Sequence, residues 1–97
     1  MPQYVVLGNW TDQGIRNIKE SPKRVAQVRQ AMEAAGGKML SFYTTMGRYD
    51  FVMVAEGPSD EVVAGLALAI GSQGNVRTET LKAFPPDVAE SIISRLP

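Results

Sequence analysis

The strand-like runs of this chain are apolar on both faces, whereas its helical segments each carry a single apolar stripe. Along Gln3 to Trp10, Tyr4, Val6 and Trp10 fall on one side and Val5 and Leu7 on the other; along Tyr49 to Glu56, Phe51 and Met53 oppose Val52 and Val54. A strand with one wetted face would alternate apolar with polar residues. Two amphipathic helices can cover one face of a sheet, so the second face needs another cover. A second copy of the same sheet is the most economical one, and self-association is therefore expected.

Ninety-seven residues make one domain, and a monomer of that size buries only about 60–65% of its unfolded surface. Ten basic and ten acidic side chains give no net charge, so no overall field draws the chain to nucleic acid. Without Cys there are no disulfides or thiolate chemistry, and without His the commonest general base and transition-metal ligand is missing. No metal and no cofactor are expected. The first ten residues lack the basic and long apolar regions of a secretory leader, and no apolar run approaches the ~18 residues of a membrane span. The chain is read as cytoplasmic, with neither a membrane nor a nucleic acid as partner.

Element signals alternate regularly. Gln3–Trp10 reads as a strand, Thr11-Asp12-Gln13-Gly14 as a polar turn, and Ile15–Glu20 as a short helical turn. Ser21-Pro22 reads as a helix start, with Ser21 as cap, and Val25, Val28, Met32 and Ala35 follow at helical spacing until Gly36-Gly37. Lys38–Thr45 and Tyr49–Glu56 form a hairpin around Gly47. Pro58 and Ser59 open a second helix with Asp60 and Glu61 in its first turn, where acids suit the positive end of the dipole. Val76–Phe84 is a more polar strand, expected at a sheet edge, and Asp87–Leu96 is a terminal helix. The order βαββαβ predicts a ferredoxin-like α+β domain: an antiparallel sheet with two helices on one face, strands one and three central. Met32, Met39, Met46 and Met53 are expected as core filler.

Three constellations could carry function. Asp50 stands where a central strand should begin, a position that disfavours Asp. It either accepts hydrogen bonds from the turn or pairs with Arg48 or Arg77, or it serves as a buried base beside Tyr49. Arg16, Lys19, Lys23 and Arg24 gather around a helix start and could hold a carboxylate or phosphate, unless Asp12, Glu20 or an acid from a neighbouring subunit neutralises them. Arg77 and Glu79 point the same way along the last strand and can pair with each other or across an interface. Trp10, at the end of a central strand, could line a pocket or a subunit contact.

Gly47-Arg48-Tyr49-Asp50, with Thr11 to Lys19 before it and Gly74 to Thr80 after it, resembles the GYD-domain family over essentially the whole chain. The resemblance implies membership of the dimeric α/β-barrel superfamily, in which paired sheets enclose a space and whose members include cofactor-independent monooxygenases, lactone isomerases and haem-handling enzymes. It brings no catalytic residues with it. Three readings follow. The first is a homo-oligomeric binding or regulatory module for a small anionic molecule, with Arg48, Arg77, Trp10, Arg16, Lys19, Lys23 and Arg24 as ligand contacts. The second is a cofactor-independent enzyme on a small organic acid or aromatic, with Asp50 as base, Tyr49 as hydrogen-bond donor and Arg48 or Arg77 stabilising negative charge. The third is assembly alone.

Overall fold

A computed structural model describes all residues, Met1–Pro97. The elements are β1 (Gln3–Trp10), α1 (Asp12–Arg16), a 3₁₀ turn at Ile18–Glu20, α2 (Ser21–Ala34), β2 (Lys38–Thr44), β3 (Phe51–Glu56), α3 (Asp60–Ser72), β4 (Val76–Ala83) and α4 (Pro86–Ser94). The strands form one antiparallel sheet in the order β2-β3-β1-β4, which is the ferredoxin-like arrangement. β1 and β3 are central and the polar β4 is an edge, as expected.

Alternation along the central strands settles which face the helices cover. Tyr4 and Val6 of β1 and Phe51, Met53 and Ala55 of β3 are buried, and Met32 of α2 and Met39 of β2 complete the buried apolar set. Val25, Val28, Phe42 and Leu66 pack on this core from α2, β2 and α3. Three of the four methionines expected inside are there. Met46 is 99% exposed, because it sits in the β2–β3 turn beyond the end of the sheet, where no element reaches it.

The opposite face has no cover. Val5 pairs with Val54 and Leu7 with Val52 between the central strands, and Leu81 flanks Val5 from β4. Leu81 is 45% and Tyr43 of β2 65% exposed. The four central valine and leucine side chains are only half-buried, shielded by one another and by flanking strands. This is the surplus of apolar sheet anticipated from the sequence.

Two helix starts differ from the sequence reading. Thr11–Gly14 is no simple turn: Thr11 caps α1, its Oγ1 accepting the Gly14 N–H at 3.1 Å. Ser21 is the first residue of α2 and caps nothing. The 3₁₀ turn runs directly into the helix with Glu20 already in a helical conformation, so α2 needs no separate nucleating cap.

α4 stands apart. Val88, Ile92, Ile93 and Leu96 in and after it are 41–66% exposed, and no other element packs extensively against it. The radius of gyration is 14.6 Å, against about 12.5 Å for a compact chain of this length. The 51 Å long axis reflects the same projection.

Candidate functional site

The GYD segment lies between β2 and β3. Gly47 adopts φ +116°, a left-handed value that side-chain-bearing residues rarely take, and this turns the chain so that Arg48 lies over the Tyr49 ring at 5.8 Å. Thr45 ties the turn together: its Oγ1 donates to the Tyr49 carbonyl at 2.6 Å and its N–H to the Asp50 carbonyl at 2.8 Å.

Asp50 precedes β3 and does not occupy its first ladder position. Its N–H donates to the Gly8 carbonyl at 2.8 Å, and its Oδ2 accepts the Trp10 N–H at 3.0 Å. The carboxylate thus supplies β1 with an acceptor where β3 has stopped pairing. Neither Arg48 nor Arg77 forms an ion pair with it, since the chain's one ion pair joins Lys82 to Asp60. Replacing Asp50 by Ala leaves the half-buried Trp10 N–H without its acceptor. The expected cost is about 1–3 kcal/mol, because a charged acceptor is lost, and Asp50→Asn, which keeps an oxygen there, should recover most of it. Urea unfolding of both variants checks this, and an unchanged Asp50→Ala midpoint would refute the anchoring role.

Around Trp10 a second cluster forms. Its ring is tilted against Phe51, with centroids 6.2 Å apart, and Phe51 stacks on Phe42 at 5.3 Å. The indole also lines a cavity between α2, α3 and the sheet.

The segments after β1 and before β4 clamp together. The Thr11 N–H donates to the Asn75 carbonyl at 3.0 Å and its Oγ1 to the Gly74 carbonyl at 2.6 Å. Gln13 Nε2 donates to the Gln73 carbonyl and to Asn75 Oδ1, both at 3.0 Å. Gly14 is buried against this bend, and a Cβ there would stand 2.0 Å from the Asn75 carbonyl oxygen. The sequence displays these two segments as separate motifs; they are halves of one joint.

The expected cation cluster is spread out. Arg16, Lys19 and Lys23 are exposed and Arg24 is half-buried, and none pairs with Asp12 or Glu20. Arg24 Nη1 donates to the Asn17 carbonyl at 3.0 Å, while its Nη2 is buried with no protein acceptor. Arg77 lies opposite Asn9 on β4 and forms no ion pair with Glu79. Tyr49, Asp50 and Arg77 therefore share no hydrogen bond or ion pair. No group of acidic side chains is arranged to hold a metal ion.

One polar group escaped the sequence reading. The Tyr4 hydroxyl donates a short hydrogen bond to Asp60 Oδ1, and Lys82 Nζ reaches the same carboxylate at 3.0 Å. That bond to Asp60, with burial adding to it, pushes the Tyr4 pKa up to about 12. Asp60 is held below the usual carboxylate range, first by accepting from Tyr4 and then by Lys82. In the sequence Asp60 is visible only as an acid in a first helical turn. The register pairing Tyr4 with Lys82 is what recruits it.

No helix is long and apolar enough to cross a membrane. A crystal structure of MtbAldR shares the fold with a TM-score of 0.68 at 12% identity; it is matched over 87% of this chain, which spans about half (52%) of that longer protein. TTHA0845 from Thermus thermophilus aligns over 88% of this chain and 95% of its own, with a TM-score of 0.54 and 23% identity. In sequence, the chain is 38% identical over 97 residues to a Thermus thermophilus protein named "Glutamine synthetase and cystathionine beta-lyase binding protein", with 99% of both chains covered. The GYD domain matches residues 4–93, from the first strand into α4. The clamp, the turn and the sheet are thus parts of one shared domain, and this chain belongs to the GYD-domain family.

Proposed function

We propose that this chain is a self-associating binding module that regulates a larger metabolic enzyme by docking on it. The observation that carries the reading is the 38% identity, over nearly all of both chains, to a protein named for binding glutamine synthetase and cystathionine beta-lyase. The polar residues of the GYD segment are consistent with this use, since Asp50 and Thr45 hold the turn and its neighbour β1 in shape.

Self-association uses the uncovered sheet face. Four strands at about 4.8 Å spacing and about seven residues at about 3.4 Å each give roughly 450 Å² in projection. Side-chain relief adds to that projection, against the ~800 Å² per partner that a standard stable interface buries. A second copy related by a twofold axis brings the same Val5, Leu7, Val52 and Val54 surface, which is self-complementary in chemistry.

The test is direct binding. Purified chain is titrated by calorimetry into glutamine synthetase, and separately into cystathionine beta-lyase, from the same source organism. Saturable binding to either enzyme, with a change in its turnover, supports the reading. Absence of heat and of co-elution with both at tens of micromolar, a range that would detect any Kd tighter than about 10 µM, overturns it.

A further inference from the structure

We propose that the cavity between α2, α3 and the sheet binds a small carboxylate with an apolar body, its carboxylate taken by Arg24. The cavity has a volume of about 100 Å³ and walls that are mostly apolar, among them Val28, Met32, Met39, Met53 and Leu66. It lies inside one copy, on the helix side of the sheet, away from the face proposed for self-association.

Polarity is unevenly distributed along it. At the end where α2 begins and β4 starts, Ser21, Arg24, Gln73 and Asn75 contribute to the wall. Arg24 is the one cation among the lining residues, and Glu56, the one acid, belongs to the far end of β3. Arg24 already spends Nη1 on the Asn17 carbonyl, which fixes the guanidinium, while Nη2 is buried with no protein acceptor. A buried donor of this kind calls for an acceptor, and an arginine edge matches a carboxylate best. Arg16, Lys19 and Lys23 are exposed on the segment leading into this end and add a favourable field for an arriving anion.

The walls select the rest of the ligand. A bare inorganic anion would leave the methionine and valine surfaces unfilled, and a polyanion would meet a single cation. A dry cavity of ~150 Å³ takes a benzene ring, so an apolar body of about four carbons suits the smaller space here. A branched or linear short-chain carboxylate fits both requirements.

The experiment uses full-length protein with ¹³C-labelled methionine methyls. Met32, Met39 and Met53 line the cavity while Met46 is fully exposed and does not line it, so the label contains its own control. Sodium 3-methylbutanoate is titrated alongside 3-methylbutan-1-ol and inorganic phosphate. The expected result is saturable shifts at the three lining methionines only, strongest for the carboxylate. Arg24→Gln should weaken carboxylate binding at least tenfold and leave the alcohol unchanged. Val28→Phe, which fills the space and keeps Arg24, should abolish the shifts, and it decides the matter should Arg24→Gln fail to fold. Equal responses to carboxylate and alcohol, no effect of Arg24→Gln in a folded variant, or no saturation below ~10 mM, where a Kd corresponds to almost no useful affinity, would each overturn the proposal.

Discussion

A lysine in place of Val54 is expected to leave this domain folded and to abolish the self-association proposed for its uncovered sheet face. Val54 lies on a central strand, between Val5 of β1 and Ser41 of β2, on the face that no helix covers. In a single copy the new ammonium group would reach solvent over a half-buried surface, which costs little because lysine extends its charge away from apolar neighbours. Between two copies it would be desolvated twice, once from each partner. Burying an unpaired charge costs several kcal/mol, so the dimer dissociation constant should rise by at least two orders of magnitude, about 3 kcal/mol. Leu68→Lys supplies the control, since Leu68 is 75% exposed on α3 and away from the sheet. Sedimentation equilibrium of the parent and both variants checks the expectation. A parent protein that stays monomeric at every concentration, or a Val54→Lys protein with the mass of the parent, would remove the pairing through this face.

The second large effect is on stability. Gly14→Ala places a methyl group 2.0 Å from the Asn75 carbonyl oxygen. The atom it meets is backbone, held by the Thr11 N–H, so no side chain can swing away to make room. Either α1 lifts or the bend before β4 shifts, and each breaks hydrogen bonds of Thr11 and Gln13. Overpacking of this kind costs about 3 kcal/mol or somewhat less, equivalent to a fall in Tm on the order of 15 °C for a domain of this size. Differential scanning calorimetry reads it directly. Alanine at Gly65, where an added Cβ meets nothing within 4 Å, should leave Tm unchanged or raised slightly through helix propensity. If Gly14→Ala melted with the parent, the close packing of this joint would be disproved.

Periodicity carried most of the fold. The βαββαβ order made β1 and β3 central, and their double-sided apolar pattern agreed with it, since the middle of the sheet is where the core on one face and the uncovered patch on the other are both richest in apolar residues. Edge polarity placed β4. What the pattern could not show is contact between distant segments. Thr11–Gly14 reads as a turn because Thr, Asp, Gln and Gly favour turns; its helical cap and its grip on Gln73–Asn75 become visible only when β1 and β4 lie side by side. Tyr4, Asp60 and Lys82 were hidden for the same reason. Asp50 was singled out for its poor strand propensity. The structure gives the cause: the ladder has already ended there, and the carboxylate completes it. Arg24 entered as one member of a charge cluster. Only packing separated it from Arg16, Lys19 and Lys23, by burying one of its nitrogens.

The detached position of α4 links secondary structure to association. A nine-residue helix is too short to persist alone in water, because nucleation costs more than so few turns return. With little packing of its own, its coil-to-helix equilibrium is open to anything that docks against Val88, Ile92 and Leu96. A partner seated there would favour the helical form of this segment, so its helicity would report occupancy of that surface more than the integrity of the domain.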